Sequence, residues 1–118
     1  MVRNKEALQK IAALTPTGAH VARALLAIAV LMDGAKLPEI DGARAVQNMA
    51  LAAWNMGIGS CWITNFYDDA MKDLLVAPQR MKLVTVMPFG YPNTTRTRRK
   101  KVQKNLSDVV HYEKLSEN

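Results

Sequence analysis

The fold is decided by residues 41–63, whose sequence is Asp41-Gly-Ala-Arg-Ala-Val-Gln-Asn-Met-Ala-Leu-Ala-Ala-Trp-Asn-Met-Gly-Ile-Gly-Ser-Cys-Trp-Ile63. Strong helix formers dominate from Ala45 to Met56, and the carboxylate of Asp41 is expected to cap this helix. Most of the helix circumference is apolar, so we expect burial on most sides, in a core or a subunit interface. Gly57 is expected to end the helix in the left-handed conformation. Gly59 has no side chain, so a flat group can approach the main chain of the following loop closely.

Two elements are predicted before this helix. Arg3 to Leu14 has the pattern of an amphipathic helix, with Leu8, Ile11 and Ala12 facing inward. Leu25 to Met32 is continuously apolar, which fits either a strand covered on both faces or a short buried helix. The short length and the Asp-Gly dipeptide that follows favour the strand.

Four further elements are predicted after the central helix. We expect a short extended segment at Cys61–Phe66, a short helix capped by Asp68-Asp69 and running through Leu75, a buried strand at Lys82–Met87 closed by Pro88, and a last extended piece at Ser107–His111. This order indicates a layered α/β or α+β domain. Two good strands and a third that the pattern leaves open make a poor sheet. The buried central helix therefore needs cover from elsewhere, and a second subunit is the expected source.

Length and composition indicate one domain, residues 1–118, with 49% hydrophobic and 22% charged residues, as in ordinary globular proteins. The only cysteine is Cys61, which excludes an internal disulfide and fits a reducing cytoplasm. Its apolar neighbours predict that it is a buried small hydrophobe. We expect neither export nor a membrane span, because no signal pattern opens the sequence and no apolar run is long enough.

The positive charge is concentrated in one segment, residues 94–104, which we call the basic loop. It holds six of the 16 Lys and Arg residues, and the remaining ten balance the ten acidic residues, so the loop carries the whole net charge of +6. Such a cluster indicates a local anion site or a solvated tail. Nucleic acid is not the expected partner, because no aromatic residues for base stacking are interleaved.

The sequence contains no self-contained catalytic constellation. His20 and His111 are the only histidines and lie far apart, so each is predicted to be structural. One cysteine without a nearby His–acid pair predicts neither a zinc site nor an activated nucleophile. Any catalysis must therefore come from a cofactor.

Three motifs resemble the FMN-dependent nitroreductase family. The first is the helix and loop of residues 45–63, the second is Leu83-Val-Thr-Val-Met-Pro-Phe-Gly-Tyr-Pro92, and the third is Leu106-Ser-Asp-Val-Val-His-Tyr-Glu113. They occur in the family's order over roughly two thirds of the sequence. The resemblance implies an α+β fold, a three-layer α/β/α sandwich whose small incomplete sheet is completed by dimerisation. It also implies a homodimer intertwined around the central helix.

The resemblance also implies where a flavin would bind. Backbone donors for the reducible edge of the ring fall on Thr64 and Asn65. Family members commonly carry Gly or Glu and then Gly there, and Asn65 departs from this pattern, although Asn tolerates positive φ.

The phosphate would be held by a basic pair, which matches Arg96 and Arg98 by its distance from the Gly-Tyr-Pro motif. Counting back from Leu106 instead places the pair at Lys101 and Gln103.

In the family, two further segments bind the flavin, and neither occurs in this sequence: Arg-Ser-x-Arg and Pro-Ser-x-x-Asn-x-Gln-Pro-Trp. It therefore resembles a truncated member, and weak FMN binding is expected because several charge-assisted hydrogen bonds would be missing. Two functions remain open. One is an FMN-dependent oxidoreductase that uses NAD(P)H to reduce nitroaromatics, quinones or similar small-molecule acceptors. The alternative is a non-catalytic dimeric domain that binds flavin weakly or not at all.

Overall fold

The computed structural model describes residues 1–93 and 102–115 of the protein. Within this part, three α-helices alternate with the strands, and there are two short 3₁₀ helices. The elements are α1 (Lys5–Ala13), a first 3₁₀ helix (Ala19–Arg23), β1 (Leu26–Met32), α2 (Pro38–Asn55), β2 (Gly59–Ser60), α3 (Asp68–Leu75), β3 (Lys82–Gly90) and a second 3₁₀ helix (Leu106–Asp108).

The described strands form an antiparallel sheet in the order β1-β3-β2, so β3 is the central strand. β1 lies opposite β3 from the pair Leu26–Phe89 onward, with one irregularity in the register next to Val30. On its outer side β1 makes a single bridge, in which Val2 and Ala27 exchange both backbone hydrogen bonds at 2.7 and 2.8 Å. The sheet is therefore small, as expected.

Helices cover both faces of the sheet. Consecutive β1 residues point to opposite faces, and they join different clusters: Ala27, Ala29 and Leu31 pack with α1 and α3, whereas Leu26, Ile28 and Val30 pack with α2. The arrangement is helix, sheet, helix. This confirms the α+β, three-layer architecture.

The start of α2 differs from the sequence-based expectation, and only one face of the helix is buried within the single chain. The helix begins at Pro38, not after Asp41, because proline at the first helical position has its φ already set and needs no hydrogen-bond partner for nitrogen. Asp41 lies inside the first turn, where its charge still favours the positive helix end. Within this chain only Gly42, Val46 and Ala53 are buried along α2. Burial on most sides, which was predicted for a core or a subunit interface, therefore stays a prediction for an assembly of two chains.

The end of α2 is as predicted. Gly57 has a φ of 75°, its N–H donates to the carbonyl of Trp54 at 3.0 Å, and the N–H of Ile58 donates to that of Ala53 at 2.9 Å. This pair of bonds is a Schellman motif, which satisfies carbonyl groups that the helix leaves free. The chain is turned sharply and returns to the sheet as β2.

α2 packs closely against β3 at Gly42. A Cβ added there would lie 2.6 Å from Cγ2 of Val84. We therefore expect Gly42→Ala to lower the free energy of unfolding by about 1–2 kcal/mol, because overpacking outweighs the gain of about 1 kcal/mol in helix propensity. Adding Val84→Ala should recover most of this loss in a double-mutant cycle measured by urea unfolding. Additive losses from the two substitutions would contradict the contact.

Two strand boundaries also differ from expectation. β3 continues through Pro88 to Gly90. Ala27 of β1 lies opposite Pro88, but the N–H and the carbonyl of Ala27 both form their hydrogen bonds with Val2 on the other side of β1. No hydrogen bond from a Pro88 N–H to β1 is therefore needed, and proline is tolerated at this position. β2 ends at Ser60, and the expected extended segment at Cys61–Phe66 is not a strand, although the N–H of Cys61 still donates to the carbonyl of Pro88 at 3.3 Å.

The remaining predicted elements need smaller corrections. α1 is shorter than predicted and is capped by Asn4, whose side chain accepts from the N–H of Ala7 at 3.0 Å; Leu8 and Ile11 are buried as predicted. α3 has the predicted extent, but Asp68 belongs to its first turn and the cap position is Tyr67. The expected extended piece at Ser107–His111 was wrong. This region instead contains the second 3₁₀ helix, whose N-terminus is stabilised by a capping box between Asn105 and Asp108.

Along residues 1–93 and 102–115, no helix combines the length and the apolar character that crossing a bilayer requires.

Candidate functional site

A cleft of about 460 Å³ opens where β2 and the end of β3 meet the first 3₁₀ helix. One wall comes from the 3₁₀ helix, a second from the end of β2, and the floor from the end of β3 and the residues after it. The lining residues are His20, Arg23, Ala24, Gly59, Ser60, Cys61, Pro88, Phe89, Gly90, Tyr91, Pro92 and Asn93.

The 3₁₀ helix is held in place by a close approach at Gly18. A Cβ there would lie 2.5 Å from Oγ1 of Thr15 and 3.0 Å from Cδ1 of Ile63. Thr15 is buried, and its hydroxyl donates to the carbonyl of Ala12 at 2.9 Å. The glycine thus lets the helix that carries His20 pack directly against the segment that follows β2.

His20 and Arg23 are the site residues that the sequence analysis missed. They are three positions apart on one short helix and both face the cleft. The Nε2 atom of His20 is buried and has no hydrogen-bond partner within the described residues. The spacing of a histidine and an arginine in Gly-Ala-His-Val-Ala-Arg was the available signal, but only the fold shows that both border a cavity.

Cys61 is exposed, which corrects the prediction that it is a buried hydrophobe. The chain leaves the sheet after Ser60 and returns to the core only at Ile63, so the apolar neighbours of Cys61 in sequence do not cover it in space. Its thiol lines the cleft and donates to the carbonyl of Trp62 at 3.6 Å. The space beside Gly59 is taken by another part of the chain and not left open for a ligand: a Cβ added at Gly59 would lie 3.3 Å from the ring of Pro92.

The segment that carries Thr64 and Asn65 is tied to the core on both sides. Before it, the hydroxyl of buried Thr85 donates to the carbonyl of Ile63 at 2.7 Å and accepts from the N–H of Ile63 at 3.3 Å. After it, the N–H of Tyr67 donates to the carbonyl of Leu14 at 3.0 Å. The backbone between these anchors is therefore held in a defined position at the surface.

Thr64 and Asn65 themselves are exposed. Among the described residues, neither amide N–H donates to another part of the chain. Asn65 does not adopt a positive φ, so replacing the family's glycine requires no left-handed backbone here. Neither residue lines the cleft, but Ser60 and Cys61, which do, lie within five residues of both.

Arg96 and Arg98 lie outside the described residues, and so does Lys101 of the alternative register. The basic loop begins directly after Tyr91, Pro92 and Asn93, which line the cleft. Gln103 is exposed.

Charges away from the cleft are paired at the surface. The hydrogen bond and the charge of Lys10 lower the pKa of Glu6, and a hydrogen bond from its own backbone together with Lys82 lowers the pKa of Glu39. Neither carboxylate lines the cleft. In the described ranges, no three His, Cys, Asp or Glu side chains are grouped so that they would hold a metal ion.

Comparisons with known proteins agree with the resemblance. The model of the nitroreductase family matches residues 5–91. A protein from Methanothermobacter thermautotrophicus, described as "Putative NADH dehydrogenase/NAD(P)H nitroreductase", is 36% identical over 102 residues, which are 78% of this chain and 53% of that protein. The chain thus spans about half the length of this relative.

Solved structures share the fold. A crystal structure of a protein from Bacteroides thetaiotaomicron with the same description is 30% identical, with a TM-score of 0.79 over 95% of this chain and 68% of the other. An FMN-dependent nitroreductase from Clostridium difficile is 24% identical and shows the fold alone, with a TM-score of 0.78 over 97% and 73% of the two chains. With the family model matched over most of the chain, this protein belongs to the nitroreductase family.

Proposed function

We propose that the protein is an FMN-dependent oxidoreductase that uses NAD(P)H to reduce a small acceptor such as a nitroaromatic or a quinone, and that it acts as a homodimer. The observation that carries the proposal is the cleft beside the anchored segment of Thr64 and Asn65. The three sequence motifs of the family and the names of the similar proteins support the same chemistry.

The donor groups around the cleft suit a flavin. FMN, when bound, supplies the chemistry of accepting a hydride and passing two electrons to an acceptor. Arg23 and the hydroxyl of Ser60 offer donors to the oxygen atoms of such a ligand. The N–H groups of Thr64 and Asn65 would face the reducible edge of the ring, as the family resemblance implies. Their position is held by the hydroxyl of Thr85 through the backbone of Ile63.

The homodimer is supported by apolar surface that this chain leaves open. On α2, Leu51 and Trp54 are 59% and 56% exposed. In the segment 102–115, Leu106, Tyr112 and Leu115 are also exposed. A second copy that covers both regions would remove this apolar surface from water.

The function is tested by adding FMN to the purified protein and following NADH and NADPH oxidation with menadione or a nitroaromatic as acceptor. Bound flavin and turnover that depends on it are expected. Protein that neither binds FMN nor oxidises either nucleotide would contradict the proposal and favour the non-catalytic dimeric domain.

The basic loop gives a separate prediction. If Arg96 and Arg98 hold the phosphate, the double substitution Arg96→Ala/Arg98→Ala should weaken FMN binding by roughly 2–4 kcal/mol in a fluorescence titration, allowing for incomplete additivity of two charged hydrogen bonds. Affinity should also fall with added salt. The matched control is Arg99→Ala/Lys100→Ala, which removes the same charge from the same loop. Equal losses in both variants would indicate diffuse attraction instead of a phosphate site.

A further inference from the structure

We propose that the outer edge of β1, the side that faces away from β3, is a docking site for an extended segment of another protein, which joins the sheet as a further strand. The segment that fits is uncharged and carries β-branched side chains such as Val, Ile and Thr. This interaction goes beyond the proposed oxidoreductase chemistry and does not depend on it, since no residue of β1 lines the cleft.

The first observation is a row of backbone groups on this edge. In an antiparallel pair, successive residues of a strand direct their N–H and C=O groups alternately to one side and to the other. Ala27 directs both of its groups outward, to Val2, so those of Ala29 and Leu31 point the same way. Within residues 1–93 and 102–115, nothing pairs with Ala29 or Leu31 on that side.

The side chains of β1 show that this alternation continues past the irregularity beside Val30. Ala27, Ala29 and Leu31 all pack with the cluster of α1 and α3, so β1 keeps its period of two residues to its end. The irregularity comes from β3, in which Val84 is the extra residue between the partners of Val30 and Leu31. The outer edge of β1 is therefore regular.

The composition of β1 leaves this edge unprotected. Strand edges in soluble proteins commonly carry charges, prolines or bulges, which disfavour pairing with another chain. The sequence of β1 is Leu-Ala-Ile-Ala-Val-Leu-Met, without a charge or a proline, and the bulge lies on the opposite strand. Such an edge is a template for the main-chain hydrogen bonds by which a peptide adds to a sheet.

The surroundings of the edge decide which side chains fit. Residues that lie opposite each other in neighbouring strands share one face of the sheet. Val2, which occupies the position that is already paired, is β-branched and packs against the buried cluster of α1 and α3. On the other face, Leu26 and Ile28 line an apolar groove of about 280 Å³ beside α2. An added strand meets apolar surface on both faces, where a charged side chain would lose water without gaining a partner.

The probe is a peptide whose side chains are known to suit β1. Residues 82–87 of β3, Lys-Leu-Val-Thr-Val-Met, lie along the inner side of β1 and place Val86 opposite Ala29. This peptide is made with acetylated and amidated ends. Two control peptides carry N-methyl groups on alternate residues, one starting at the first residue and the other at the second. Because only alternate amides of a strand face its neighbour, one control should bind and the other should not.

The full chain is titrated with each peptide, and amide hydrogen exchange is followed by NMR. In the absence of peptide, the N–H groups of Ala29 and Leu31 should exchange quickly, and those of Ile28 and Val30, which face β3, slowly. At saturating peptide we expect exchange at Ala29 and Leu31 to slow by roughly tenfold or more, the factor that one hydrogen bond supplies. The control peptide with blocked amides should leave both rates unchanged.

The matched protein variants are Ala29→Pro and Ala29→Ser. Ala29→Pro removes an N–H that faces outward and none that β3 uses, and proline is tolerated at such edge positions. It should bind the peptide roughly tenfold more weakly than the wild type, whereas Ala29→Ser keeps the N–H and should bind as the wild type does. If Ala29→Pro does not fold, the two N-methylated peptides decide the question on the wild type.

Three results would overturn the proposal. The first is equal binding of both N-methylated peptides, which would mean that side chains and not strand pairing hold the peptide. The second is unchanged exchange at Ala29 and Leu31 with the unmodified peptide. The third is slow exchange of these two amides before peptide is added, because the edge would then already be covered, by a second copy if dilution restores fast exchange.

Discussion

Ala53→Glu is expected to unfold the protein, whereas Trp54→Glu is expected to leave a folded monomer. Ala53 is only 5% exposed and packs within its own chain, in a cluster with Val46, Met87 and Phe89. An unpaired carboxylate in that cluster should cost on the order of 3–5 kcal/mol, a large part of the stability of a domain of this size. Urea unfolding measures this loss.

Trp54 follows Ala53 on α2 but is more than half exposed. A carboxylate there stays in water in the single chain, and it would be buried only if a second copy covers α2. Light scattering is therefore expected to show a dimer for the wild type and a monomer for Trp54→Glu, with helical circular dichroism retained. Ala45→Glu adds the same charge at an exposed position on the opposite side of α2 from Trp54 and should remain dimeric. A wild type that is monomeric at micromolar concentration would remove the dimer from the proposal.

The second large effect is expected at Thr85. Thr85 is fully buried, and its hydroxyl makes both hydrogen bonds to the backbone of Ile63. Thr85→Val keeps the shape but leaves a buried N–H and a buried carbonyl without partners, so we expect the free energy of unfolding to fall by about 2–4 kcal/mol. Thr85→Ser keeps the hydroxyl and loses one methyl group, which should cost only about 1 kcal/mol.

The same pair of variants tests how the site is positioned. Because Thr64 and Asn65 directly follow Ile63, loss of the anchor should speed amide hydrogen exchange in this segment and weaken FMN binding in Thr85→Val. Thr85→Ser should resemble the wild type in both measurements. If Thr85→Ser loses as much stability as Thr85→Val, the methyl packing and not the hydroxyl holds the segment.

Local sequence was enough to predict the main elements. The apolar run of β1, the inward face of α1 and the extent of α3 follow from patterns within a few residues. The glycine that ends α2 has the predicted positive φ, because few other residues accept that conformation cheaply. The spacing of three motifs was likewise sufficient to indicate the family.

Errors arose where a residue's environment comes from a distant part of the chain. Pro88 was expected to end β3, but it is accommodated because Ala27 directs its hydrogen bonds to Val2. Cys61 was expected to be buried among its sequence neighbours, but the turn after Ser60 exposes it. Neither outcome is encoded in the adjacent residues, since both depend on strand pairing.

By itself, the sequence determined the three α-helices and the two long strands, where α2 ends, and that the net charge lies in one segment, because propensity and periodicity act over neighbouring residues. Only the tertiary structure decided that His20 and Arg23 border the same cleft as Ser60 and Cys61, about 40 positions later. It also decided that α2 is buried on one face and open on the other. The physical reason is that the sheet order β1-β3-β2 brings these segments together, and such long-range pairing is set by the packing of the whole chain.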